Sequence, residues 1–339
     1  MASPKIPSIV KRALLYKAQL NSHLEKVTND MADQWVKISA GLSKNIDGLI
    51  AEMRIRNVMD MPLAERARWM AEMDRYQDLL AQSEAMAKSY GAWSADYITN
   101  AQIQSIRLGV NEFSSVTQGY FVGMPSPQIE MLHGALTGKS PLLKLFNQIG
   151  SKDAMENALL MGLSMGKPLS EIGKDLAEAA NMTLVRGTLI ARTEVIRAHN
   201  TTSLNLYQMY GIEKYRRLAS RGHACMACLM LDGEILSSRD ALYDHPNGAC
   251  TTIPIVDPDN PPNWETGKEY FEKLPEAEQR QRMGTNFYDA WKRGDFTLQD
   301  LVSIRHDPIW GDSPQITPLK TISPNWKSFR QISEKRDVT

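Results

Sequence analysis

From about Ile9 to Val58 the chain mixes Leu, Ile, Met and Ala with charged residues and has no internal proline. Only Gly41 and Gly48 interrupt it, and the pattern predicts helix almost throughout. Pro62 opens a second long segment, Leu63 to Tyr90, in which Trp69, Met73, Tyr76 and Leu80 recur at three- and four-residue steps as one apolar stripe. Gly91 marks a break, and a third helical run is expected to reach Gly109. A Met and aromatic stripe at this spacing suits a core or a partner groove. The first 110 residues therefore read as a helical bundle or coiled-coil-like arm, whose removal should leave a soluble remainder.

Glycine and proline thicken between Gly109 and Gly150 and allow only short elements. Ser151 and Ser170 have the chemistry of helix N-caps, and Gly166 is placed to stop the helix that Ser151 would start. Beyond the Pro-rich stretch 257–262, Thr266 with Glu269 and Thr297 with Asp300 predict capped starts, and Gly284 and Gly294 predict stops. From Trp310 onward Pro314, Pro318 and Pro324 predict an extended tail. The expected fold is mainly α, with long N-terminal helices and a small α+β C-terminal module whose two or three short strands flank a Cys/His knuckle. The segments expected are an arm over 1–110, a connector over 111–165, a core module over 166–256, and short helices with a tail over 257–339.

A chain of 339 residues is long enough for two or three units. Lys+Arg and Asp+Glu balance at 39 each, so no global charge drives it to nucleic acid or membrane. No segment approaches the roughly 20 apolar residues that span a bilayer, so no membrane partner is expected.

All three cysteines fall in one stretch, Cys225-x2-Cys228-x16-His245-x4-Cys250. An odd number packed into one motif differs from a secreted disulfide framework and suits a reducing cytoplasm. The spacing fits a tetrahedral Zn²⁺ site: the Cys-x2-Cys turn offers two thiolates, and the loop Asp244 to Cys250 offers an imidazole and a third. Cys225, Cys228, His245 and Cys250 would close the coordination shell, which defines a structural metal. A hairpin around Asp232-Gly233 is expected to bring Cys250 back to the knuckle. His223 competes with His245, and a small buried thiol cluster without metal is the alternative.

The run Ile190 to Thr201 is the second informative feature. Thr193, Ile196 and Asn200 share one helix face with Arg192 and His199 beside it, so polar groups interrupt an apolar stripe. Arg192, Thr193, Glu194, Arg197 and Asn200 are read as a polar face that braces the backbone of the Cys-bearing segment. Between residues 186 and 221, seven basic residues face two acidic ones, a local positive patch that could meet DNA.

These pieces, in their order, resemble the Mu-F-like minor head proteins of tailed bacteriophages. The resemblance covers Gly166 to about Val256: Ile190-Ala-Arg-Thr-Glu194, Arg197-Ala-His-Asn200, Tyr207, Tyr210-Gly211, Cys225-Met-Ala-Cys228, Leu231-Asp-Gly233, His245-Pro246 and Cys250. Glu278-Gln-Arg280, Met283-Gly284, Tyr288-Asp-Ala-Trp291 and Gly294 through Val302 look like the tail many members carry. Tyr215 stands where members commonly have Trp, and Gly248 replaces the first cysteine of the family's His-Pro-x-Cys-x-Cys. The resemblance implies a non-enzymatic assembly protein in the virion, inside the capsid near the portal vertex, which passes through the host cytoplasm during assembly. Its implied partners are the portal protein and a major capsid or scaffold protein, with roles in head morphogenesis and in DNA packaging or ejection.

Two rival readings are weaker. A ββα-metal nuclease could use Asp244-His245, but it needs a second metal-ligand His or Asn on a following helix, and after Cys250 only His306 remains. An ADP-ribosyltransferase-like effector needs its catalytic Glu on a strand, whereas Thr193-Glu194 falls in a predicted helix.

Overall fold

A computed structural model describes residues 7–117, 131, 134, 145, 152–222 and 224–323. Mainly helical, it carries a few short strands in small sheets in the C-terminal half, the predicted fold class. Helix α1 spans Ser8–Ser39, α2 Leu42–Ile55, α3 Leu63–Ala71 and α4 Asp74–Val116; α5 follows over Lys152–Ser164 and α6 over Leu169–Met209. Among the described residues, no helix is long and apolar enough to cross a membrane.

In α1 the buried positions Val10, Ala13, Lys17, Leu20, Leu24, Val27 and Met31 alternate steps of three and four, so one narrow stripe is buried along the helix. Gly91 does not break α4. A helical glycine costs only about 1 kcal/mol relative to alanine, and Tyr90 and Ile98 on either side are fully buried. The break comes earlier, between α3 and α4 at Glu72 and Met73. Ser170 lies inside α6, which starts one residue after Pro168. Gly166, with φ +67, ends the stretch after α5 as predicted. The connector glycines and prolines between 119 and 141, apart from Gly134, and the Ser151 cap lie outside the described residues.

The chain forms two compact units, neither continuous in sequence: Met1–His23, Gln102–Gly138 and Val195–Thr339 make one, and Leu24–Ala101 with Lys139–Glu194 the other. The first 110 residues are thus shared between the units rather than forming an arm of their own. The second unit, in which no strand occurs among the described residues, is fixed by aromatic groups with polar handles. Trp35 donates from Nε1 to Asn181 Oδ1 at 2.9 Å, packs edge-on to Tyr90 at 5.2 Å between ring centroids, and Tyr90 donates to the Met31 carbonyl at 3.2 Å. Gly187 lets α6 approach this cluster, since a Cβ there would come within 3.0 Å of the Tyr90 ring.

The first unit holds the strands. Strand β1 (Lys214–Leu218) is central and pairs antiparallel with β2 (Ile235–Ser237) on one side and β3 (Thr251–Pro254) on the other. Between β1 and β2 lies the five-residue helix α7 (Met226–Met230). The C-terminal helices are α8 (Gly267–Lys273), α9 (Glu276–Met283) and α10 (Thr285–Lys292). Strands β4 (Val302–Arg305) and β5 (Ser313–Ile316) form a second antiparallel pair, and α11 (Leu319–Ile322) follows. Pro314 therefore sits in a strand opposite Ile304, where an extended tail had been expected. The capping boxes at Thr266 and Thr297 and the positive-φ stops at Gly284 and Gly294 match the sequence reading.

Two cores of this unit position the Cys-bearing segment. Val110 and Phe113 of α4 pack with Leu204 and Tyr207 of α6 and with Tyr215 of β1. Val10 and Ala13 of α1 pack with Val116, Leu218 of β1, Ile253 of β3 and Trp264.

Candidate metal centre

Helix α7 begins at Cys225, whose extended backbone (φ −67, ψ 165) makes it the N-cap, and its sulfur accepts from the Cys228 amide at 3.4 Å. The Cys-x2-Cys spacing thereby turns both sulfurs to one side of a short helix start. Cys250 arrives by a different route from the expected hairpin. The turn at Asp232-Gly233 exists, with Gly233 at φ +87 and the Glu234 amide on the Leu231 carbonyl. That turn leads into β2, however. Cys250 is delivered by β3, which pairs on the other edge of β1 with Thr251 opposite Leu218.

Cys225, Cys228, His245 and Cys250 lie in one cluster as expected, which could hold a metal ion. His223, the competing ligand, lies outside the described residues. Asp244, which is not one of the four expected ligands, joins the cluster. The donor atoms sort into two overlapping triads that share Cys228: Cys225–Cys228–His245 and Cys228–Asp244–Cys250. Cys225 Sγ lies 3.4 Å from His245 Nε2, and Cys228 Sγ 3.7 Å from Asp244 Oδ1.

The loop 244–250 folds around the Asp244 carboxylate. Oδ1 accepts the His245 amide and Oδ2 the Cys250 amide, both at 2.9 Å, while the Gly248 amide closes on the His245 carbonyl at 2.7 Å. This arrangement explains the glycine at 248: a Cβ there would sit 2.2 Å from the carboxylate oxygen Oδ1. The space a side chain at 248 would fill is occupied by Asp244.

Arg217 of β1 is the second group the sequence did not reveal. Only 2% exposed, it sends Nη1 to the Tyr243 carbonyl at 2.9 Å and Nη2 to Cys250 Sγ at 3.3 Å, Cys228 Sγ at 3.5 Å and Asp244 Oδ1 at 3.6 Å. Burial opposes its charge, but Cys250, Cys228 and Asp244 beside it hold its pKa above the ordinary value. Lys17 of α1 is the third: its buried ammonium binds the Leu218 and Ala249 carbonyls, both at 2.7 Å, and burial lowers its pKa. A lysine some 200 positions upstream gives no local signal of such a role.

Proton sharing polarises the cluster. The hydrogen bond from Cys228 is the main cause lowering the Cys225 thiol to about 4, with His245 adding to it against burial. His245 is raised to about 9, chiefly by Cys225. Hydrogen bonds to Cys225 and Cys250, then burial, push Cys228 up, and Cys250 is lowered, first by Cys228. Cys225 Sγ and His245 Nε2, 3.4 Å apart with Cys228 beside them, offer the thiolate and imidazole donors that suit a metal of zinc type, and binding one would release the proton they share.

The polar helix face divides. Asn200 donates from Nδ2 to the Cys250 carbonyl at 2.9 Å and braces the Cys-bearing segment as expected. Thr193 instead donates to Leu189 in its own helix at 2.8 Å, because a threonine hydroxyl reaches the carbonyl four residues back more readily than a distant loop. Arg192 and Glu194 belong to the other compact unit, and Arg192 Nε is buried without a hydrogen-bond partner among the described residues. Arg197 reaches the Trp310 carbonyl at 3.4 Å, and His199 Nε2 lies 2.9 Å from Glu112. The basic patch is largely committed within the chain: Arg216 binds the Gly233 and Pro262 carbonyls and stacks on Trp264, and Arg221 pairs with Glu265.

Comparison of the chain with known protein families, curated proteins and solved structures returns no match.

Proposed function

We propose that this chain is a structural component of a tailed-phage virion, a minor head protein that docks at the portal vertex and acts in head morphogenesis, without enzymatic activity of its own. The observation that carries this reading is the meeting of the motif pieces that define the resemblance. Asn200 of the helical piece bonds the carbonyl of Cys250. The Asp232 carboxylate of the Leu-Asp-Gly piece accepts the Ala219 amide at 2.8 Å and the indole of Trp264 at 3.3 Å. Cys225, Cys228 and His245 converge beside them. Asn200 and Cys250, 50 residues apart, are thereby joined.

The metal of the cluster is zinc in this account, since two or more thiolates with an imidazole favour it over hard cations. It staples the knuckle. Direct DNA contact is left out of the proposal, because Arg197, Arg216, Arg217 and Arg221 are engaged inside the chain.

Tagged protein expressed with the capsid and portal proteins of its own virus tests the reading. Co-sedimentation with heads and crosslinking to portal are expected; exclusion from heads would defeat it. Cleavage of plasmid DNA by the purified chain with Mg²⁺, Mn²⁺ or Zn²⁺ would replace it with the nuclease.

A further inference from the structure

We propose that the metal ion is held by Cys225, Cys228 and His245 alone, with a fourth coordination position open to a small sulfur or nitrogen donor, while Cys250 serves as a partner of Arg217. This rests on the zinc reading above and changes its ligand set.

The donors do not form one tetrad. They sort into two triads through Cys228, and the two ends of the cluster differ in what already faces them. At one end Cys225 Sγ and His245 Nε2 are 3.4 Å apart. Zinc bonds of about 2.3 Å to sulfur and 2.0–2.1 Å to nitrogen, at a tetrahedral angle, give an edge of about 3.5 Å. At the other end the guanidinium of Arg217 stands 3.3 to 3.6 Å from the donor atoms of Cys228, Cys250 and Asp244. An arginine stays charged in a protein, and one this deeply buried needs its anions. A dication drawn into that triad would share its ligands with a fixed cation and be repelled by it. The metal is therefore directed to the end where Arg217 faces one of the three ligands, Cys228, rather than all three.

Cys250 is also held from behind. Its carbonyl takes the Asn200 amide and its own amide goes to Asp244, so its side chain is fixed against the guanidinium. Cys250 is buried, whereas Cys225 and His245 are only half-buried, which leaves the three-ligand end approachable. Among the described residues, no further Cys, His, Asp or Glu joins that triad. Water fills an open position of this kind by default, and a thiolate or imidazole from a partner chain could displace it.

X-ray absorption at the zinc edge on the full wild-type chain counts the sulfurs directly. Two sulfurs are expected, and three would overturn the ligand set while leaving zinc in place. In the Co²⁺-substituted chain, Cys225→Ser should reduce the thiolate-to-metal band by about half and Cys250→Ser should leave it unchanged. A loss of about a third in each variant would overturn the proposal. Adding 2-mercaptoethanol should shift the Co²⁺ spectrum; no shift rules out the open position. Wild-type protein that retains no metal would defeat the zinc reading itself.

Discussion

At the scale of single residues, the Cys-bearing loop depends on groups that are not ligands. Asn200→Ala leaves the Cys250 carbonyl without its donor in a buried place and should destabilise the protein by about 1–3 kcal/mol. A thermal melt unaltered by that substitution would mean the brace does not matter. Gly248→Ala drives a methyl group into the Asp244 carboxylate. It should cost about 1–3 kcal/mol by overpacking and weaken metal retention. The Cys225–His245 pair also fixes a pH response for the metal-free chain. Cys225, lowered from 9.0 to about 4, contributes stability that is present above pH 9 and lost as pH falls through 4. His245, raised from 6.5 to about 9, contributes below pH 6.5 and loses its part as pH rises through 9. From 6.5 to 9 the folded and unfolded pair hold the same number of protons. The melting temperature of the chelated protein should therefore show a plateau there from this pair and fall between pH 6.5 and 4, which a pH series of melts would check. The cysteines and His245 were legible because their spacing is local. Arg217 and Lys17 were not, because ordinary surface charges look the same in sequence until a fold buries them, and Asp244 was legible only as the acidic neighbour of His245, not as a group that meets Cys228 and Cys250.

At the scale of elements, the knuckle is held by how α7, the β1-centred sheet and α8 abut. Gly267 opens α8 against the end of α7, and a Cβ there would come 2.2 Å from the Leu229 carbonyl. Gly267→Ala should therefore destabilise more than Thr266→Ala, which removes only a cap worth about 1 kcal/mol. Denaturant melts of the two variants compare them directly, and equal losses would show that the close approach is relaxed. The capping boxes were readable because they are four-residue patterns. The continuity of α4 through Gly91 was not, because burial of its neighbours overrides the local cost of glycine. Nor was the source of Cys250, since a turn signal at Asp232-Gly233 says nothing of which strand edge β3 will choose.

At the scale of the whole molecule, the compact units cut across the order of the chain. Val10, Ala13 and Lys17 belong to the same unit as the cysteines, with Lys17 tying β1 to the residue before Cys250. A chain beginning after residue 23 should lose cooperative unfolding of the Cys-bearing unit and become prone to proteolysis, against the sequence-based expectation of a soluble remainder. A truncated chain with an intact melt and full metal retention would contradict this. The proposed place in a virion can be seen by electron cryo-microscopy of intact heads, reconstructed at the portal vertex without imposed icosahedral symmetry. Density for this chain is expected on the inner side of the capsid against the portal. A vertex fully explained by other proteins, with this chain missing from the particle, would contradict it.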